Sequence, residues 1–290
     1  MDDYQRAVAR WTTSVRKRDM PALKAGQVAV VTGGAAGIGF ALAEALSRKG
    51  LRVVLADLDP AALNKAVEQL RASGFTVIGV ATDVSDPSSV KSLRQQVVAS
   101  FGAVDLLCNN AGIHNPLDPV WTLDMARWRR LFEINYWGVA YGIQEFVPLF
   151  LAQGSGHVLN TASLSGFTAV PGSGDYGSSK HAVVALSEIL RADLDLANGS
   201  AIGVTVVCPG FVKTAMGDRA LERMLNYKFL DYRTPSGSGP NLSASLEPSQ
   251  VAAAAIEGVE NGAMYVMPTA GSRDRLLSRI QPILDEIGDR

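Results

Sequence analysis

The stretch VAVVTGGAAGIGFALAEAL, residues 28–46, decides the fold of this chain. VAVVT (28–32) is an apolar, β-branched run that ends on glycine, and IGFALAEAL (38–46) has the apolar spacing of a helix. A strand, a glycine turn and a helix in that order open a βαβ unit. The turn places Gly33, Gly37 and Gly39 in the pattern G-x-x-x-G-x-G. Glycines there let the backbone turn tightly and come close to a pyrophosphate, whose charge rests on the N-terminus of the next helix. The chain holds 28 glycines, so a triplet alone says little; its place between strand and helix points to a dinucleotide.

Outward from this stretch the alternation continues. Short β-rich runs stand at RVVLA (52–56), FTVIGVA (75–81), VDLLC (104–108), HVLNT (157–161), GVTVVC (203–208) and MYVM (264–267). Helical patterns lie at 38–49, 60–73, 87–101, 124–152, 176–197 and 248–260. Strands this continuously apolar are covered on both faces. The expected fold class is therefore α/β: a doubly wound parallel sheet, or Rossmann fold, flanked by helices. No repeat or clean linker divides residues 26–290, which read as one domain. An arm, 1–25, precedes it and mixes Arg6, Arg10, Arg16, Lys17 and Arg18 with Asp2, Asp3 and Asp19. The stretch 214–247 breaks the regularity, with RALERMLNYKFLDY (219–232) followed by TPSGSGPNLSAS (234–245). An insertion that long in a compact domain reads as functional, here as a substrate lid.

Asp57 ends the second strand, 18 residues after Gly39. That is the place of an acid that hydrogen-bonds adenosine ribose hydroxyls. Its carboxylate would repel a 2′-phosphate. The turn has Ala35 and Ala36 where a base could stand, Leu58 follows the acid, and Arg52 lies at the far end of the strand. The residues favour NAD over NADP. Asp59, ahead of PAAL, is the better helix cap of the two acids.

Composition excludes other classes. Hydrophobic residues make up 47% and charged residues 19%, with a net charge of −1, which leaves no footprint for nucleic acid or an anionic membrane. No apolar stretch is long enough for a membrane span, and the N-terminus has no signal-peptide core, so the expected compartment is cytoplasmic. Cys108 and Cys208 end apolar runs and read as buried free thiols. His114, His157 and His181 have no metal-ligand spacing, so no metal site is expected.

At this point the chain resembles a short-chain dehydrogenase/reductase over roughly residues 26–270, on seven motifs in order. TGGAAGIG (32–39) is similar to the cofactor turn, which implies Gly33, Gly37, Ile38 and Gly39 against the cofactor. TDVSD (82–86) implies Asp83 and Val84 beside the adenine. NNAG (109–112) implies that Asn110, Ala111 and Gly112 wall the adenosine ribose and stabilise the central sheet. FEINYWG (132–138) puts Asn135 where the family keeps a helix-kinking asparagine. LNTASLSG (159–166) offers Ser163, and YGSSK (176–180) offers Tyr176 and Lys180. CPGFVKT (208–214) matches the segment around the nicotinamide, with Pro209, Gly210, Val212 and Thr214.

Hydride transfer from a carbinol carbon needs a proton to leave the oxygen in the same event. A tyrosine does this if its pKa falls from about 10 toward neutrality, and a neighbouring ammonium lowers it by favouring the phenolate. Tyr176 and Lys180 are i and i+4, hence on one helix face. Alone they read as a solvated pair; the family pattern makes Tyr176 the acid/base and gives Lys180 the nicotinamide ribose as well. It also makes Ser163, 13 residues before Tyr176, the holder of the substrate oxygen, with Ser165 as its competitor. Asn135 would anchor a water linking Lys180 to solvent. His114 is expected at the surface or in the core, with a place in the pocket as the alternative. His181 turns about 100° from Lys180, and His157 starts a strand.

The lid offers Met216, Leu221, Met224, Leu225, Tyr227, Phe229, Leu230 and Tyr232, and Trp137 and Phe167 were expected to join them. This implies an apolar or aromatic pocket and a hydrophobic secondary alcohol or its ketone as substrate. The C-terminal stretch from residue 246 resembles, more loosely, a branch that handles such compounds. Family members are commonly homodimers or homotetramers, joined through the helices at 124–152 and 176–197. Two rivals stand beside this reading. An NADP-dependent ketoreductase on acyl or polyketide substrates is opposed by Asp57. A non-catalytic NAD-binding regulator is opposed by the intact set Asn135, Ser163, Tyr176 and Lys180.

Overall fold

The computed structural model describes residues 20–197, 201–227 and 245–288. Seven parallel strands form one sheet in the order β3-β2-β1-β4-β5-β6-β7. They are β1 Val28–Thr32, β2 Arg52–Asp57, β3 Val77–Ala81, β4 Leu106–Asn109, β5 Gly156–Thr161, β6 Ile202–Val207 and β7 Tyr265–Val266. The helices α1 Gly37–Arg48, α2 Pro60–Ala72 and α3 Pro87–Phe101 cross between the first four strands. Later come α4 Met125–Phe132, α5 Gly138–Gln153, α6 Gly174–Leu196, α7 Ala215–Leu225, α8 Pro248–Glu260 and α9 Ser272–Ile287.

Both faces of the sheet are buried, as the apolar runs required. Side chains alternate across a strand. Val28 and Val30 therefore join Val54, Leu107, Phe146 and Phe150 in one core, while Ala29 and Val31 join Val53, Leu55, Leu42 and Leu46 in the other. β1 pairs with β2 on one side and β4 on the other, so the strand order reverses between β1 and β4. Ligand sites of open α/β sheets lie at such a reversal, outside the carboxyl ends of the strands. Polar side chains fasten the neighbouring strand: Asn109 Nδ2 donates to Asn160 Oδ1 at 3.0 Å, and Asn160 Nδ2 donates to Ser187 Oγ of α6 at 2.9 Å. Cys108 and Cys208 are buried free thiols. His157 is buried against Thr205 Oγ1 at 2.9 Å, and burial pushes its pKa down to about 3.

The structure corrects the outline in three places. The helix expected over 124–152 is interrupted by a π-helical turn, Glu133–Trp137, where the Gly138 N–H reaches the carbonyl of Glu133. The wider turn rotates Asn135 fully inward and leaves Trp137 43% exposed. The C-terminal helix α9 was not expected; its Leu277, Ile280, Leu284 and Ile287 are exposed. The stretch expected to be a lid, 214–247, opens with a helix, α7, and its flanks meet: Val212 and Leu246 form a β-bridge, with Leu246 N–H donating to the Phe211 carbonyl at 3.0 Å. Phe229, Leu230 and Tyr232 of the lid and residues 1–19 of the arm lie outside the described residues. Among the described residues no helix is long and apolar enough to cross a membrane.

Candidate active site

A cavity of about 790 Å³ opens at the carboxyl ends of β1 and β4. One end of it is the glycine turn. Gly33 and Gly37 have φ of +62° and +54°, conformations that a side chain would strain. Gly39 is needed for space: a Cβ there would stand 2.0 Å from the Gly33 carbonyl oxygen and 2.6 Å from Asn110 Nδ2. We expect Gly39→Ala to cost about 1–3 kcal/mol of stability and to abolish dinucleotide binding, read by thermal melting and NAD titration. A native melt with unchanged titration would show that the turn has room to adjust.

The turn fits a diphosphate. Asp59 and Asp86 cap α2 and α3 with their side chains, whereas α1 follows Ala36, takes no side-chain cap and has no acid in its first turn. The unpaired N–H groups and positive end of α1 thus remain for an anion. At the end of β2, Asp57 Oδ2 accepts the Ala35 N–H at 3.0 Å, so the carboxylate is oriented by the turn itself. Asp83 and Val84 line the same end. Burial raises the Asp83 carboxyl, but hydrogen bonds from Ser85 and the charge of Arg130 at 3.7 Å outweigh it and hold the group below its ordinary value. Asn110 joins the two central strands: its N–H donates to Thr32 Oγ1 at 3.0 Å and its Nδ2 to the Thr32 carbonyl at 3.0 Å. Ala111 and Gly112 continue the wall.

Ser163, Tyr176 and Lys180 gather at the other end of the cavity. Ser163 follows β5, and its Oγ accepts the Ser165 N–H at 3.1 Å; both serines line the cavity. Lys180 is 4% exposed and donates from Nζ to the Thr161 carbonyl at 2.9 Å; its Nζ stands 5.7 Å from the centre of the Tyr176 ring. Burial lowers the Lys180 pKa to about 8. Burial also raises the Tyr176 phenol, and a hydrogen bond with Ser163 offsets part of the rise. Where a downward shift of Tyr176 was expected, burial outweighs the Ser163 hydrogen bond and the phenol stands above its ordinary value.

Asn135 does not line the cavity; it stands behind Gly112. Its amide clamps Ile113 on both sides, accepting the Ile113 N–H at 2.8 Å and donating to the Ile113 carbonyl at 3.0 Å. Pro209, Gly210, Val212 and Thr214 run along the cavity beyond β6. Thr214 caps α7 through the Gly217 N–H at 3.0 Å, and Gly210 N–H is held by Thr269 Oγ1 at 2.8 Å. Met216 and Met224 of the lid face the cavity, and Tyr227 packs with Leu117 and Val170. Trp137 and Phe167 do not face it: Trp137 stacks on Tyr141 outside, and Phe167 meets Tyr265.

The sequence undervalued His114. Its ring lies 4.5 Å from that of Tyr176 and lines the cavity, and Arg223 of α7 donates to its carbonyl at 2.9 Å. Burial pushes the imidazole down, toward the neutral form. Its place two residues after NNAG was the available signal. Arg219, Arg275 and Arg279 also reach the cavity, from α7 and α9, and nothing in their spacing announced it.

Comparison with known proteins agrees with this architecture. The chain is 36% identical over 259 residues to a 1-deoxy-11-beta-hydroxypentalenate dehydrogenase of Streptomyces exfoliatus, covering 89% of this chain and 88% of the relative. It is 33% identical over 269 residues to a C alpha-dehydrogenase of Sphingobium, covering 90% and 86%. A crystal structure of a short chain dehydrogenase/reductase from Burkholderia phymatum in complex with NAD superposes with a TM-score of 0.79 at 36% identity, over 89% of this chain and 94% of that one. The short chain dehydrogenase family model matches residues 27–224, more than half of the sequence, and the chain belongs to that family.

Proposed function

We propose that this chain oxidises a hydrophobic secondary alcohol with NAD, with Tyr176 as the acid/base. One observation carries the reading: Ser163, Tyr176 and Lys180 meet at one end of the cavity whose other end holds the glycine turn and Asp57. Bound along that turn, NAD supplies the hydride acceptor. Ser163 hydrogen-bonds the substrate oxygen and fixes the carbinol against Tyr176. The Tyr176 phenolate takes the hydroxyl proton as the carbon loses hydride, and the resulting phenol gives it back in the reverse direction. Lys180, held by Thr161, keeps a positive charge beside the phenol and favours its ionised form. Asn135 holds Ile113 and, through it, the wall on which His114 stands.

Asp57 selects NAD over NADP by repelling a 2′-phosphate. The apolar faces of Leu117, Val170, Met216 and Met224 suit a largely hydrocarbon substrate. The names of the relatives denote dehydrogenation, of a hydroxypentalenate in one case. We further propose a homodimer or homotetramer joined through α4, α5 and α6; the exposed Ile189 and Leu196 of α6 support a covered face there.

The test is NADH formation from a panel of secondary carbinols, run beside NADP. We expect turnover with NAD and a preference over NADP of at least about tenfold. Asp57→Ser should narrow that preference. Equal efficiency with both cofactors would remove the role of Asp57, and no oxidation of any carbinol would remove the enzymatic reading.

A further inference from the structure

We propose that Arg219, Arg275 and Arg279 form an anion subsite that takes a carboxylate carried by the substrate. This rests on the alcohol dehydrogenase reading and narrows its substrate to a hydroxy acid. The charges around the cavity are segregated. Its acids, Asp57 and Asp83, stand at the glycine turn, and Asp83 is already faced by Arg130 at 3.7 Å. Lys180 is engaged with the Thr161 carbonyl. The three arginines come from two helices, Arg219 from α7 and Arg275 and Arg279 from α9. Among the described residues none of the three side chains has an ion pair or hydrogen bond. This holds although Asp218, Glu222 and Asp274 stand one to three residues from them.

Arg275 and Arg279 are i and i+4, so both project from the same face of α9; Arg275 is half-buried, while Arg279 and Arg219 are exposed. Guanidinium groups bordering a cavity whose acids stand at its other end attract a carboxylate, and their fork geometry matches its two oxygens. An exposed ion pair contributes little, so the half-buried Arg275, beside walls of Leu117, Val170 and Met224 that screen charge less than open water does, carries the larger share of the attraction. The same chemistry would also receive a phosphate of the dinucleotide. The uncapped N-terminus of α1 and the glycine turn already provide for that group, which leaves the arginines for the substrate.

The experiment compares 9-hydroxydecanoate with its methyl ester, in the wild type and in an Arg275→Gln/Arg279→Gln variant, with NAD affinity titrated in both. The wild type should prefer the acid by about tenfold or more in kcat/KM, through KM, and rising salt should erode that preference. The variant should bring the acid-to-ester ratio close to one while its NAD dissociation constant moves less than about twofold. Equal use of acid and ester by the wild type would overturn the subsite. So would a variant in which both substrates fall together with NAD affinity, since the arginines would then serve the cofactor phosphates. Turnover of neutral carbinols with no use of 9-hydroxydecanoate also sinks the subsite but leaves the alcohol reading standing. Failure with every secondary alcohol would remove both.

Discussion

Tyr176→Phe should lower kcat by about 10²–10⁴-fold while leaving the affinity for NAD within a few-fold of the wild type. The substitution removes one oxygen and keeps the ring, so the contact with His114 at 4.5 Å survives and the cavity wall stays in place. What is lost is the partner of Ser163 and the group proposed to accept the carbinol proton. Initial rates and a cofactor titration separate the two effects. A variant that binds NAD and turns over at near-native rate would move the acid/base role elsewhere, with neutral His114 as the nearest candidate. The pH dependence gives a second signature. Burial holds the Tyr176 phenol above its ordinary value, so oxidation should accelerate as pH rises toward the alkaline range, and the phenylalanine variant should lose that rise.

Lys180→Met should have opposite effects on catalysis and on stability. It removes the charge beside Tyr176, so kcat/KM should fall by about 10²-fold or more, and NAD should bind more weakly. Yet the apoprotein should melt a few degrees higher. Lys180 is 4% exposed and burial lowers its pKa to about 8, which means that the fold bears a penalty for holding it charged. The sign follows from proton binding. Between pH 8 and the ordinary lysine value of 10.5 the unfolded chain binds more protons than the native one, so wild-type stability rises with pH across that window. Below pH 8 the penalty is constant, on the order of a few kcal/mol. Methionine fills similar volume without it and forfeits about 1 kcal/mol by leaving the Thr161 carbonyl unpaired. Melts of both proteins from pH 7 to above 10 should therefore converge as pH rises. A methionine variant that is less stable at every pH would show that the lysine also holds the fold together.

Much of this molecule is legible in sequence because its strands are buried on both faces. A run such as VAVVT (28–32) has no solvent side to interrupt it, and the glycine turn and Tyr176–Lys180 spacing are local patterns. Legibility fails where the decisive fact is orientation. Trp137 was expected in the pocket with the other aromatic side chains, but the π-helical turn sends it and Asn135 in different directions, and EINYW (133–137) contains no glycine or proline to mark the turn. Phe167 is three residues beyond the cavity-lining Leu164, yet points into the core against Tyr265. Helix α9 escaped because its apolar residues face outward, with Leu284 54% exposed, so they signal no contact with the sheet. Arg219, Arg275 and Arg279 are spread over 61 positions, and only the fold brings them to one cavity.

The bridge between Val212 and Leu246 has a consequence for how this chain can diversify. The segment that departs after Val212 comes home to the same point, so its two anchors are fixed by each other. Lengthening such an excursion costs little, about 0.6 kcal/mol for each doubling. The stretch between the anchors can then be exchanged as a cassette: the corresponding segment of a relative, joined at 213 and 245, is expected to change which alcohols are accepted and to leave the Tyr176 end of the cavity in place. A chimera of that kind is the shortest route from this one enzyme to a set of catalysts with different tastes.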